Sequence, residues 1–335
     1  MDVDVFVAAH RAEWDRLTEL LRRGARLRGD EADELVTLYQ RTATQLSIIQ
    51  ATAPDPVLVG RLSSLVAGAR AAVTGTPSPS WREIGTFFAR RLPAAIYLSR
   101  RWWAATALTF LLVSGALAAW VATNPDVRAS IAAPAEIRDL TRPGGDFESY
   151  YSSGPAASFA AQVWTNNAWV AAGALLLGVL LGLPVVLIVA VNAANLGVSA
   201  GLMIAAGRGE VFLGLIAPHG LLELTAVFVA AGTGLRLGWT VVDPGGLTRA
   251  EALARQGRAV VAVALGLVCV LLVSGVIEAY VTPSGWPTLA RVGVGVLAEA
   301  AFLAYVFGPG RRAALAGETG DLDARYAGDS LPAVG

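Results

Sequence analysis

Residues 211–231 read "VFLGLIAPHGLLELTAVFVAA". As a helix rising 1.5 Å per residue, this stretch is about 30 Å long, the thickness of the hydrocarbon core of a bilayer. Its ionisable side chains are His219 and Glu223. They stand four residues apart and so share one helix face. Glu223 lies near the centre of the run, where a charge costs roughly 2.5–3.5 kcal/mol on insertion scales. The pair must therefore face protein or water rather than lipid.

Similar runs follow the same rule elsewhere. Residues 102–121, 168–191, 259–281 and 289–308 are each apolar over about the 20 residues a crossing needs. A shorter one, "AANLGVSAGLMIAAG" at 193–207, fits a tilted crossing or half of a re-entrant hairpin. Overall, 55% of the 335 residues are hydrophobic and 16% charged, against roughly a quarter charged in soluble domains. The expected fold class is all-α: a polytopic membrane helical bundle of about six spans, one of them short.

Composition excludes several function classes. The formal net charge is zero, so nothing suggests nucleic-acid binding. All 26 basic residues are arginine, a bias that fits a GC-rich bacterial coding sequence. The single cysteine, Cys269, cannot form an intramolecular disulfide or a paired-cysteine metal motif. The start "MDVDVFVAAHRAEWDRLTELLRR" is charged and amphipathic, unlike a signal peptide. No nucleophile elbow, phosphate loop or nucleotide fingerprint occurs, so no enzyme activity, catalytic residue or cofactor is expected.

Residues 1–80 read as a cytosolic helical module. Val5, Phe6, Trp14, Leu17, Leu20 and Leu21 recur at helical spacing. "DEADELVTLYQRTATQLSIIQA" opens on acids that suit a helix N-terminus, and "APDP" precedes a third helix. Residues 81–101 mix Trp81, Phe87, Phe88 and Tyr97 with five arginines, which describes an interfacial amphipathic helix. The transmembrane bundle then occupies 102–310, with an outer loop at 122–165, and 311–335 is a disordered cytosolic tail.

Arginines stay on the cytoplasmic side. They cluster before the first span, in the 232–258 connection (Arg236, Arg249, Arg255, Arg258) and at Arg311-Arg312. Six crossings, with 193–207 counted as one, place all three inside. The expected localisation is thus the bacterial inner (plasma) membrane, multi-pass, with both termini cytoplasmic. Phe147, Tyr150, Tyr151, Phe159, Trp164 and Trp169 suit an aromatic belt at the outer interface.

Other membrane carboxylates are Glu299, near the centre of the last span, and Glu278 in "LLVSGVIEAY", nearer the outer end. A His219–Glu223 hydrogen bond would lower the burial cost of both groups, and Pro218 and Gly220 should bend the helix there. Three readings of the pair stay open. It is a buried polar contact that fixes packing, with Asn192 or Asn195 donating across the interface. It is a proton or ion relay, or a gated solute path. Or it holds a metal, although one His and one or two Glu fall short of a usual zinc set, so no metal is assigned. Gly178/Gly182, Gly197/Gly201 and Gly234/Gly238 stand at small-xxx-small spacing, which suits close helix approach and a homo-oligomer.

"PHGLLEL" followed by "AGTGLRLG", with "NAANLG" before it and "VWTNNAW" opening the second span, resembles the stage II sporulation protein M family. The N-terminal "FVAAHRAEWDRLTELL" and "FFARRLPAAI" resemble its longer versions in high-GC bacteria. The likeness covers roughly residues 5–310. It implies a polytopic inner-membrane protein that anchors envelope-remodelling partners such as peptidoglycan-degrading enzymes. It brings no catalytic residues, and marks Pro218, His219, Gly220, Glu223, Asn166, Asn167, Asn192 and Asn195 only as motif positions of unknown role. Two functions are therefore expected: a membrane scaffold for envelope proteins or, alternatively, a transporter or permease subunit using midplane Glu223, Glu299 and His219.

Overall fold

The computed structural model describes residues 3–23, 27–52, 55–73, 81–152 and 155–321, without the side chains of Arg82 and Ser152. Every regular element among them is helical. The described residues divide into two compact units, one ending at Ile84 and the other beginning at Gly85.

In the first unit, α1 (Val3–Arg23), α2 (Gly29–Thr52) and α3 (Pro56–Val73) form a three-helix module. Its core has two layers. Leu17, Leu20, Leu35, Leu38 and Ala69 fill one, and Trp14, Ile49, Leu58 and Leu62 the other. Spacings of three and four residues put these side chains on inward stripes. Trp14 donates its indole N–H to Gln45 at 2.7 Å, and Gln45 in turn reaches Glu13 at 2.7 Å. Asp55 accepts the backbone N–H groups of Val57 and Leu58, a side-chain cap that starts α3. The module's histidine, His10, is held by Gln45 at 3.0 Å.

Among the described residues, six helices are long and apolar enough to cross a membrane, and α3 is one of them on length and composition alone. Its 18 residues reach only about 27 Å, and its apolar stripe is used against α1 and α2. It therefore belongs to the module.

The second unit opens with α4 (Trp81–Thr86), which straddles the boundary, a π-turn at Phe87–Arg91, and α5 (Leu92–Leu98). Residues 81–98 run helical throughout, with the π-turn in the middle, and α6 begins anew at Arg100. Trp81 and Phe88 are exposed, but Leu92, Pro93, Ala94, Ala95 and Ile96 are buried. The short apolar run "LPAAI" packs beneath the bundle because Gly266 and Gly310 let it approach closely.

The bundle consists of α6 (Arg100–Thr123), then, after the loop helices α7 (Pro125–Ile131), α8 (Pro134–Thr141) and α9 (Asp146–Ser149), of α10 (Ala156–Leu176), α11 (Leu183–Ala205), α12 (Gly209–Val242), α13 (Arg249–Val276) and α14 (Thr288–Tyr305). The expected spans 168–191 and 193–207 are corrected here. The first is broken by a turn at 177–182, where Leu181 and Gly182 take positive φ of 56° and 74°, and Pro184 then opens α11. The second is simply the end of α11, a full-length crossing. Helix α10 is less apolar than the others because of Gln162, Thr165, Asn166 and Asn167, yet it packs on α12 and α13 as part of the bundle.

The expected 232–258 connection also shrinks. Helix α12 continues to Val242, and α13 begins at Arg249 on a Thr248/Glu251 capping box, leaving 243–248 as the loop. Gly232, Gly234 and Gly238 do not end the helix; they allow backbones to touch. A Cβ on Gly234 would sit 2.0 Å from the carbonyl oxygen of Ala174, and one on Gly178 2.2 Å from that of Gly234. Gly197 and Gly201 meet α6 at Ser114 and Ala118 in the same way. These contacts are within one chain, so the glycine spacing ceases to argue for a second copy.

Leu98, Trp102, Asp243, Arg255 and Gly317 surround one cavity, which places the start of α6, the 243–248 loop and the tail at one end of the bundle. Glu148, Glu210, Pro283 and Arg291 surround another at the opposite end. The tail is partly ordered: α15 (Arg311–Leu315) leads to Asp321, which accepts two hydrogen bonds from Arg258 at 2.5 and 2.8 Å. The rest of the expected disordered tail, 322–335, lies outside the described residues.

Candidate functional site

Helix α12 runs unbroken through Pro218 and buries it together with His219 and Gly220. Gly295 on α14 closes against this stretch, since a Cβ there would lie 2.4 Å from the Pro218 carbonyl oxygen. With α14 on that side, the His219–Glu223 face turns toward α10 and α13.

The expected His219–Glu223 hydrogen bond is not made; each has other partners. His219 Nδ1 lies 3.1 Å from Thr282 Oγ1, and its Nε2 3.9 Å from Glu278 Oε1. Ser274 donates to the His219 carbonyl at 3.1 Å and toward Glu223 Oε2 at 3.4 Å. Asn167 on α10 lines the same cavity as the Glu223 carboxylate. The hydroxyls of α13 thus stand where the asparagines of α11 were expected. The reason is geometric: Asn192 is committed to the Ile188 carbonyl of its own helix at 2.8 Å, and Asn195 is exposed.

Glu299 is apart as well. It accepts a 3.0 Å hydrogen bond from Thr225, which stands two residues beyond Glu223 and so on a different face of α12.

The side chain added to the expected pair is Glu278. It sits in a π-turn, Ile277–Val281, that follows α13 and is 4% exposed, with Oε2 unpartnered. One ligand atom each from His219, Glu223 and Glu278 lies within 4.8 Å of the others. A signal for this was present: Ser274, Glu278 and Thr282 recur every fourth residue in "SGVIEAYVT" and form one helix face.

His219, Glu223 and Glu278 line a cavity of about 480 Å³ with Tyr150, Tyr151, Asn166 and Asn167. Tyr151 covers it, its ring centroid 5.8 Å from that of His219. It is not an interfacial anchor but part of a buried aromatic cluster with Phe147 and Phe159. Burial first, and the nearby Glu278 charge second, hold its phenol well above the usual range, so it keeps its proton. Trp169 does stay exposed, as a belt residue would. A second cavity of about 490 Å³, lined by Glu148, Glu210, Thr282 and Arg291, shares Tyr151 with the first.

Comparison with known proteins places this geometry. The sequence model described as Stage II sporulation protein M matches residues 107–283, which include every polar group of the site. One described as a domain of unknown function (DUF8413) matches residues 4–75, the three-helix module. No curated protein and no solved structure matches the chain.

Proposed function

Because the chain belongs to the Stage II sporulation protein M family, we propose that this multi-pass membrane protein is a non-catalytic scaffold that anchors envelope-remodelling partners in the bacterial plasma membrane. One observation carries the reading: a helical module with its own core is joined to a bundle whose outer faces are apolar. Leu108, Leu112, Leu187, Leu265 and Leu272 are exposed on the bundle and suit lipid. On the module, Arg and Glu pairs cover the surface, while Val5 and Val57 stand exposed among them.

Arginine placement supports a cytoplasmic module and tail. Arg100 and Arg101, Arg249 and Arg255, and Arg311 and Arg312 all belong to helix ends on one side of the bundle.

Affinity purification of the cross-linked chain from native membranes tests the scaffold. Envelope proteins recovered with the full chain should be lost when residues 3–73 are removed while the bundle still inserts. The same set recovered without the module would contradict the reading.

A transporter subunit is the second reading, and the polar cavity around Glu223 favours it. Glu223-dependent solute flux in proteoliposomes, without any partner, would establish it over the scaffold.

A further inference from the structure

We propose that His219, Glu223 and Glu278 form a binding site for one divalent transition cation of the zinc class. The argument begins with the donor set. An imidazole nitrogen and two carboxylates converge within 4.8 Å, and nitrogen plus carboxylate oxygen suits zinc and its first-row neighbours. Zinc–ligand bonds of about 2.0–2.2 Å put tetrahedral ligand atoms about 3.5 Å apart. Side-chain shifts on the order of 1 Å close the present spacing.

The hydrogen bonds around the cluster point its lone pairs inward. Thr282 Oγ1 lies 3.1 Å from Nδ1 of His219 and 3.5 Å from the Ile277 carbonyl oxygen, so in the metal-binding tautomer it donates to the carbonyl and accepts from Nδ1–H. That assignment leaves Nε2 unprotonated and facing Glu278 Oε1 at 3.9 Å, two acceptors with no hydrogen between them. Fixing the remote ring nitrogen in this way is how proteins orient a ligating histidine.

A second, independent observation is Glu278 itself. Its side chain is more than nine-tenths buried, lines the cavity, and has Oε2 without a partner. A buried polar atom left without a partner is costly. Among the described residues, the one ion-pair partner within 4.0 Å of either carboxylate is His219. Two carboxylates in a bilayer-level interior without a guanidinium call for another positive charge. A divalent ion supplies it, and the cavity leaves room for water on its open side. The adjoining cavity, with Glu210 at its rim, gives a polar approach past Tyr151.

The test uses the full chain, freed of any polyhistidine tag, stripped with chelator and equilibrated in detergent with Zn²⁺ or with Co²⁺ as the visible probe. One ion per chain should be retained. Zn²⁺ should shield Glu223 and Glu278 from carbodiimide labelling, read by mass spectrometry. Glu278→Gln should weaken binding by about 100-fold or more, and Thr282→Val by about 10–100-fold. Glu299→Gln and His10→Ala should leave it unchanged. Failure of the folded wild-type chain to retain an ion would overturn the proposal, as would full retention by Glu278→Gln. If the variants do not fold, equal labelling of both glutamates with and without Zn²⁺ in the wild-type chain overturns it alone.

Discussion

Thr282 Oγ1 stands 3.1 Å from Nδ1 of His219, across 63 residues of sequence, and both side chains are buried. This contact ties the π-turn after α13 to the buried polar face of α12, and it leaves Nε2 as the ring nitrogen that faces Glu278. Thr282→Val keeps the shape and removes the hydroxyl. It should lower stability by about 1–2 kcal/mol, the usual cost of a stranded buried polar group, while Thr282→Ser should stay within about 0.5 kcal/mol of the parent. Thermal unfolding of the purified protein in detergent reads the difference; equal midpoints for Val and wild type would remove the contact from the account.

Helix packing around the turn at 177–182 makes a second expectation. Gly234→Ala places a methyl 2.0 Å from the Ala174 carbonyl oxygen, a backbone atom with no rotamer to escape into. Overpacking of this kind costs roughly 1–3 kcal/mol. Gly115→Ala, on α6 with nothing within 4 Å, should cost nothing measurable. Comparing the yield of folded protein and the unfolding midpoint of the two variants checks it.

The module should respond to acid. Glu13 is held below the usual carboxylate range chiefly by its hydrogen bond from Gln45, Glu31 by the Arg28 backbone N–H, and Glu34 by Arg16. Their folded values lie below their unfolded ones. The stability they contribute is therefore fully present above pH about 4.5 and is lost as pH falls through the depressed values. Hydrogen-exchange protection of residues 3–73 in the full chain, corrected for intrinsic rates, should be flat from pH 7 to 5 and fall below 4. Protection that rises on acidification would show that these contacts do not hold the module.

Sidedness gives a fourth. In a Cys269→Ala background, a cysteine at Ser130, in the exposed loop before α10, should react with an impermeant thiol reagent on intact cells. One at Thr248, at the opposite end of the bundle, should react only after permeabilisation. The reverse pattern would invert the chain in the membrane.

Much of this was legible because lipid imposes simple rules. The runs that became α6, α12, α13 and α14 were long and apolar, and a crossing helix must be both. The α10–α11 turn was not legible because it is itself built of Leu177, Val179, Leu180 and Leu181, so hydropathy passes over it. Its only marks were the flanking Gly178, Gly182 and Pro184. At the site, His219 and Glu223 stood out against hydrocarbon, but their partners did not. Ser274 and Thr282 are ordinary in apolar helices, and only the topology brings their face onto α12. Tyr151 read as an anchor because an aromatic beside a span is usually one; the fold turns it inward over His219.

The central claim is that the module recruits other envelope proteins to a membrane anchor. The most direct measurement places a photo-cross-linking residue at Val5 or Val57, 66% and 81% exposed on the module, and at Leu187 on the lipid-facing bundle as control. Irradiation in native membranes should give a discrete adduct with a second envelope protein from the module positions and none from Leu187. Adducts with lipid or with the chain itself alone, at all three positions, would contradict the scaffold.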